Sequence, residues 1–387
     1  MDQFISTLKP QTIYLDGYDN GSSILNIPFY FWYERTVPSD VLETALYRTL
    51  EEFPVLAGRI KTGNDSRSFV VVDKNSLNMP VYTDSSCNVH FQTLKDADFD
   101  VRLLPVDYSS ACKTPAPPGI IGQCLKLAEF HVLRMKDDSG MCIFASVSHS
   151  IFDGTAYIAF VRRWADISKY IMATQEQQHV HEVSVPAQVF QHDRSILETD
   201  KPMDSDALEP EICEIFNNNG EAVVLSNIVA DVRPRIKRLA DSNYVGNAVL
   251  LKVVASPLDL LLKECSPKIL AAVACNIRRA VDGLDERYCK QIGHLINKNP
   301  SGHVYANMQV TTVNNAFVVT NHTRFGYYDS DFGSGLPVLV RPAFLVFEND
   351  FVIMPARPGQ DGYELAFTVV PKVVKNMMES EYWKYIY

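Results

Sequence analysis

Met141–Cys142–Ile143–Phe144–Ala145–Ser146–Val147–Ser148–His149–Ser150–Ile151–Phe152–Asp153–Gly154 is the stretch on which the reading of this chain turns. Its first eight residues make an apolar run of strand length. Before them stand another apolar run, Leu125 to Leu133, and a polar turn, Lys136–Asp137–Asp138–Ser139–Gly140. The pair reads as a hairpin. Beyond Asp153–Gly154, Tyr157, Phe160, Val161, Trp164 and Ile167 recur at helical spacing. His149 therefore stands in a strand-to-helix connection, where a side chain is held exposed above a rigid scaffold.

The residue types in this H-x-x-x-D-G pattern suit group transfer. An imidazole, with an unperturbed pKa of ~6.5, takes a proton from a nucleophile and returns it to a leaving group near neutral pH. Asp153 lies past the turn and braces the loop. Gly154 lets the backbone pass where a Cβ would collide. By composition alone the pattern arises by chance in roughly a few per cent of chains this long, so it needs support from elsewhere.

Outward from this stretch, the chain reads as mixed. A helix lies between Thr36 and Gly58, with Leu42, Ala45, Leu46, Leu50 and Phe53 on one face, an Asp40/Glu43 capping box at its start and Pro54 at its end. Gly63–Asn64–Asp65 turns into the strand Phe69–Val72. In the second half, Ser266–Pro267 opens a helix whose buried face is Ile269, Val273, Ile277 and Ala280. The chain has 387 residues, which suits two domains of roughly 150–200 residues each. The boundaries fall at residues 1–172 and 221–387, with a polar, aperiodic crossover at 173–220 between them.

Composition narrows the function. A net charge of −10 argues against nucleic-acid binding. The apolar stretches fall short of the ~20 residues a membrane span needs, and Met1–Asp2–Gln3–Phe4 lacks a signal-peptide profile. A monomer in the cytoplasm is the expectation. Cys87 with His90 and Cys289 with His294 have zinc-like spacings without a second ligand pair, so no metal is expected. His131 and His294 read as surface or packing residues, and Tyr327–Tyr328 as core or tunnel wall.

Further segments carry a resemblance. Leu46–Tyr47–Arg48–Thr49–Leu50 through Phe53–Pro54–Val55–Leu56–Ala57–Gly58–Arg59, then Asp193–Arg194–Ser195, Asp231–Val232–Arg233–Pro234–Arg235, Tyr244–Val245–Gly246–Asn247–Ala248 and Asp331–Phe332–Gly333–Ser334–Gly335 follow one another in order. Together with H-x-x-x-D-G they resemble the BAHD acyltransferases, in particular the fungal branch that includes trichothecene acetyltransferases. The last segment has Ser334 where that family usually has Trp. The resemblance implies an α/β (mixed α+β) fold of two chloramphenicol-acetyltransferase-like domains, each a mixed sheet flanked by helices, with a tunnel between them. It implies no tightly bound cofactor, acyl-CoA as co-substrate, and a small alcohol (less often an amine) of secondary metabolism as acceptor. His149 corresponds to the general base. Asp153 corresponds to the carboxylate that turns away and pairs with Arg233 or Arg235. Gly154, Asp331 and Gly333 support the site, and Ser334 and Asn247 are candidates for coenzyme contact.

Two other readings remain open at this level. Condensation domains of peptide synthetases share the H-x-x-x-D-G logic, usually after a second His, where this chain has Ser148. A non-catalytic binder on the same fold is the other. The segment Arg194 to Asp231 is short and lacks tryptophan, with one strand at most around Glu221–Leu225. It predicts a thinner second domain and a tunnel open on the acceptor side.

Overall fold

The computed structural model describes residues 2–21, 26–63, 68–108, 126–176, 188–197, 223–240, 242–298, 316–345 and 348–381. Two five-stranded mixed sheets and one three-stranded sheet make up its strands. The small sheet joins β1 (Gln11–Tyr14), β4 (Ser68–Val72) and β3 (Arg59–Thr62). The first large sheet runs β11 (Leu339–Pro342), β2 (Asn26–Tyr33), β7 (Met141–Ser148), β6 (Ala128–Arg134), β5 (Val81–Ser86). The second runs β13 (Tyr363–Thr368), β12 (Asp350–Pro355), β10 (Phe317–Asn321), β8 (Val223–Asp231), β9 (Val249–Pro257).

The first sheet is apolar on both faces because both are covered. Alternate residues of its central strands enter different cores. Phe29, Phe31, Ile143, Ala145 and Val147 face the main core, while Tyr30, Trp32, Cys142 and Phe144 face a second one with Phe91, Leu94 and Phe99. Two helices close the main core. Helix α1 (Ser39–Glu52) buries Val41, Leu42, Ala45, Leu46 and Leu50, and helix α2 (Gly154–Glu176) buries Tyr157, Phe160, Val161, Trp164 and Ile167. Their polar atoms are satisfied on the way in. The Trp164 indole N–H donates to the Leu42 carbonyl at 2.9 Å, and the Tyr157 hydroxyl to the Ala145 carbonyl at 3.0 Å.

Three local expectations are revised. The Asp40/Glu43 capping box does not form, because Pro38 in an extended conformation starts the helix and Asp40 falls inside the first turn. Negative charge there still complements the helix dipole. Ser266 does cap helix α3 (Pro267–Asp282), accepting from the Ile269 N–H, but the face carrying Val273 and Ile277 is half-buried, since the helix is an outer cover on β9. The strand foreseen at Glu221–Leu225 is β8, which continues to Asp231. The expected thinning of the second domain concerns a segment of which residues 198–222 lie outside the described residues.

The halves of the sequence are interleaved in space. β11, from the second half, completes the first sheet by pairing antiparallel with β2, Val340 opposite Phe31.

Candidate active site

The site begins where β7 ends. Ser148 is the last paired residue, opposite Asn26, and the backbone then turns, with the Ile151 N–H donating to the Ser148 carbonyl at 3.0 Å. His149 emerges from that turn partly exposed, while Ser150, Ile151, Phe152 and Asp153 beside it are buried.

Asp153 is turned into the interior. Its carboxylate accepts two hydrogen bonds from Arg233, at 2.7 and 3.0 Å, and two from backbone, the Ala156 and Ala248 N–H groups, both at 2.9 Å. The Ala156 contact makes it the cap of helix α2. Burial by itself pushes the Asp153 pKa up, but the Arg233 charge and these hydrogen bonds outweigh it and hold the carboxyl below its ordinary value. Arg235 does not share this role. Its guanidinium donates to the Asp231 carbonyl at 2.7 Å, so of the two arginines it is Arg233 that binds the carboxylate. Gly154 next door leaves room for the Phe325 ring, which a Cβ would push aside.

Asn247 fixes the tautomer of His149. Its amide nitrogen donates to the Asp19 carboxylate and to the His149 carbonyl, each at 2.8 Å. Both partners only accept, so the amide oxygen must be the atom 3.1 Å from His149 Nδ1. Nδ1 therefore carries the hydrogen and Nε2 keeps its lone pair. No partner of Nε2 stands among the described residues. Desolvation lowers the His149 pKa, against opposing contributions from its own backbone, Asp153 and Asn247, so the imidazole is neutral around pH 7. Asn247 was expected to contact the coenzyme. The residue is fully buried with its side-chain hydrogen bonds committed behind the imidazole.

Asp19 and Arg194 complete this support. Arg194 is 3% exposed and donates to Asp19 at 3.2 Å, to the Val245 carbonyl at 2.9 Å and to the Ile151 carbonyl at 3.0 Å. It thereby ties the His149 turn to the Asn247 loop. Asp16, beside Asp19, has a pKa raised well above the ordinary carboxylate value by burial and by the neighbouring carboxylate.

Asp331, Gly333 and Ser334 belong to a separate loop. The Asp331 carboxylate accepts from the Gly333 and Gly335 N–H groups, both at 2.9 Å, and from Lys169 of helix α2 at 2.7 Å. Gly333 has φ +107°, which a glycine adopts without strain. Ser334 Oγ donates to the Arg35 carbonyl at 3.3 Å. The structure thus brings His149, Asp153, Gly154, Arg233 and Asn247 together and leaves the other three on a structural turn beside helix α2.

Sequence reasoning missed Asp19 and His322. Asp19 sits in a short helix, Gly17–Gly21, with no local signal tying it to a partner more than two hundred positions away. His322 follows the apolar strand Phe317–Asn321, the strand-end placement that singled out His149, and the same logic would have found it. Arg194 carried a signal as part of Asp193–Arg194–Ser195, but no role.

Among the described residues there is no cluster of His, Cys, Asp or Glu able to hold a metal ion, and no helix is long and apolar enough to cross a membrane. A family model described as "Transferase family" matches residues 7–194 and 212–383. A curated relative, the O-acetyltransferase pboB of Aspergillus ustus, is 24% identical over 170 residues, 43% of this chain; the matched stretch spans 34% of that relative's length. F. sporotrichioides TRI101, solved in complex with coenzyme A and T-2, superposes with a TM-score of 0.72 at 15% identity, covering 97% of this chain and 99% of that one. Vinorine synthase superposes with a TM-score of 0.58 at 15% identity, over 94% and 91% of the two chains. These likenesses establish the two-sheet fold.

Proposed function

The chain belongs to this transferase family, the BAHD-type acyltransferases, and on that premise we propose that it transfers an acyl group from acyl-CoA to a hydroxyl of a small molecule, with His149 as general base. The observation that carries the reading is the state of the imidazole. Its Nδ1–H is held by Asn247, and its Nε2 lone pair has no partner among the described residues on a ring that is partly exposed. Asp153, the other half of the motif, is turned inward to Arg233.

The steps follow from that geometry. An acceptor hydroxyl donates its proton to His149 Nε2 as its oxygen forms a bond to the thioester carbonyl carbon. The carbonyl π pair moves onto oxygen, giving a tetrahedral oxyanion beside an imidazolium. Collapse re-forms the carbonyl and breaks the C–S bond, and the imidazolium returns the proton to the departing thiolate. An ester and free coenzyme A leave, and the base is regenerated. An imidazole that is neutral before the reaction is the form this needs. The names of the relatives, O-acetyltransferase and complexes with coenzyme A, support the choice of donor and of a hydroxyl over an amine. Asp331 and Gly333 shape a supporting turn, and Ser334 is placed with them. A monomer acting in the cytoplasm completes the reading.

The test is a panel of acyl-CoA thioesters incubated with mixed alcohols and amines. Free thiol should appear in step with acceptor, fastest with alcohols. Thiol release independent of any acceptor, or none at all with every pair, would end the proposal.

A further inference from the structure

His322 sits at the end of β10 and has no role in the scheme above. Its Nδ1 lies 3.0 Å from the Tyr327 hydroxyl, and its ring stacks on Phe325 with centroids 4.5 Å apart. Phe325 is the ring packed against Gly154 of the motif. Through that shared ring His322 adjoins the H-x-x-x-D-G segment that carries His149.

The Tyr327 contact settles which His322 nitrogen carries the hydrogen. Tyr327 is fully buried, and the only partner of its hydroxyl among the described residues is His322. If Nδ1–H donated to the phenol oxygen, the phenol hydrogen would be buried without an acceptor, a costly arrangement. The phenol therefore donates, Nδ1 accepts, and the hydrogen of the neutral imidazole is on Nε2. That N–H has no partner among the described residues, on a ring that is partly exposed. Desolvation, with the nearby His149, lowers the His322 pKa to about 3, which keeps the ring neutral. The two rings thus have opposite tautomers. His149 offers a lone pair at Nε2, and His322 offers a hydrogen there.

We infer that His322 is a second catalytic residue, whose Nε2–H donates a hydrogen bond to the oxyanion of the tetrahedral intermediate. The inference rests on the acyl-transfer reading. A neutral imidazole suits this task, since it donates strongly without giving up its proton, and a fixed donor in a partly desolvated site needs no reorganisation when charge develops. The proton stays on His322 throughout. Phe325 and Tyr327 are positioning residues, one holding the ring plane and the other its tautomer.

The test compares wild type with His322→Phe, His322→Gln, Tyr327→Phe and the double variant Tyr327→Phe/His322→Gln, each checked for folding by its thermal transition. His322→Phe should lower kcat by about 10²–10³, the usual cost of one oxyanion donor, with little change in KM for the acceptor. His322→Gln, which keeps an N–H near the same point, should recover most of that loss. Tyr327→Phe should lower kcat when His322 is present and change little in the Gln background, a dependence that a packing role would not produce. A His322→Phe enzyme with wild-type kcat, a loss confined to acceptor KM, or a Gln variant as slow as the Phe variant overturns the inference. Should His322→Phe fail to fold, equal effects of Tyr327→Phe in both backgrounds do the same. His149→Ala run alongside separates the two claims. An unchanged rate there removes the acyl-transfer reading itself, whereas a dead His149→Ala with an unaffected His322→Phe removes only the second donor.

Discussion

At the scale of the residue, the chemistry rests on which hydrogen sits where. An imidazole alone is ambiguous, with two neutral tautomers and a cation. Asn247 resolves the ambiguity at His149 because its own amide is pinned by Asp19 and a carbonyl. Replacing the base with alanine should cost at least roughly two orders of magnitude in kcat, the usual contribution of a positioned base. The pH profile tests the same residue from another side. Activity needs the neutral ring, so kcat/KM should rise with pH through the His149 pKa, and burial places that rise below the usual imidazole value. An acid limb centred above pH ~6.5, the ordinary value, would contradict the buried setting.

At the scale of the element, one carboxylate joins a strand end, a helix start and a distant loop. Asp153 caps helix α2, binds Arg233 through both oxygens and accepts the Ala248 N–H. Asp153→Asn leaves the buried Arg233 charge with Asp231, at 3.2 Å, as its carboxylate partner, and should cost up to about 3 kcal/mol in denaturant unfolding at pH 7, the lower end for breaking a buried pair. The folded-state pKa is lowered, so its stabilisation is present above the unfolded value of ~3.9 and is lost as pH falls through the folded one. The gap between wild type and variant should therefore shrink below pH ~4. A constant gap from pH 7 to pH 3 would show that the carboxylate charge is not what stabilises. Gly154→Ala acts on the next residue. Its methyl must displace Phe325, so the His322 ring loses the surface on which it stacks. Overpacking of this kind typically costs about 1–3 kcal/mol, and kcat should fall while the acyl-CoA KM holds. A variant with both stability and kcat unchanged would mean that the ring moves freely.

At the scale of the whole molecule, the second half of the sequence contributes a strand and core side chains to the first half's sheet. β11 supplies the edge strand of the first sheet. Tyr33 donates to the Ser330 carbonyl at 2.9 Å, Phe332 packs edge-on to Trp164 at 5.0 Å, and Tyr327 stacks on Phe29 at 4.9 Å. Segment 327–340 therefore fills the first half's core from the far end of the chain. A fragment ending at residue 176 should lack a cooperative thermal transition by circular dichroism, because it exposes the β2 edge and the faces of Phe29 and Trp164. A sharp transition close to that of the full chain would refute this.

Local pattern was enough for much of the plan. Continuous apolar runs and a turn placed β6, β7 and the histidine at their end, and helical spacing placed helix α2, because such signals depend only on neighbours in the chain. Ordered motifs carried the family, and with it the pairing of Asp153 with one of two arginines. Which arginine it is depended on the fold, since Arg233 and Arg235 are two residues apart and only tertiary packing turns one toward Asp153. The same holds for Asn247, read from its motif as a coenzyme contact and found behind the imidazole. Asp19, His322 and the exchange of β11 were decided by tertiary structure alone. A buried hydrogen bond spanning 228 positions leaves no periodic trace, because the partners meet only after the chain between them has packed.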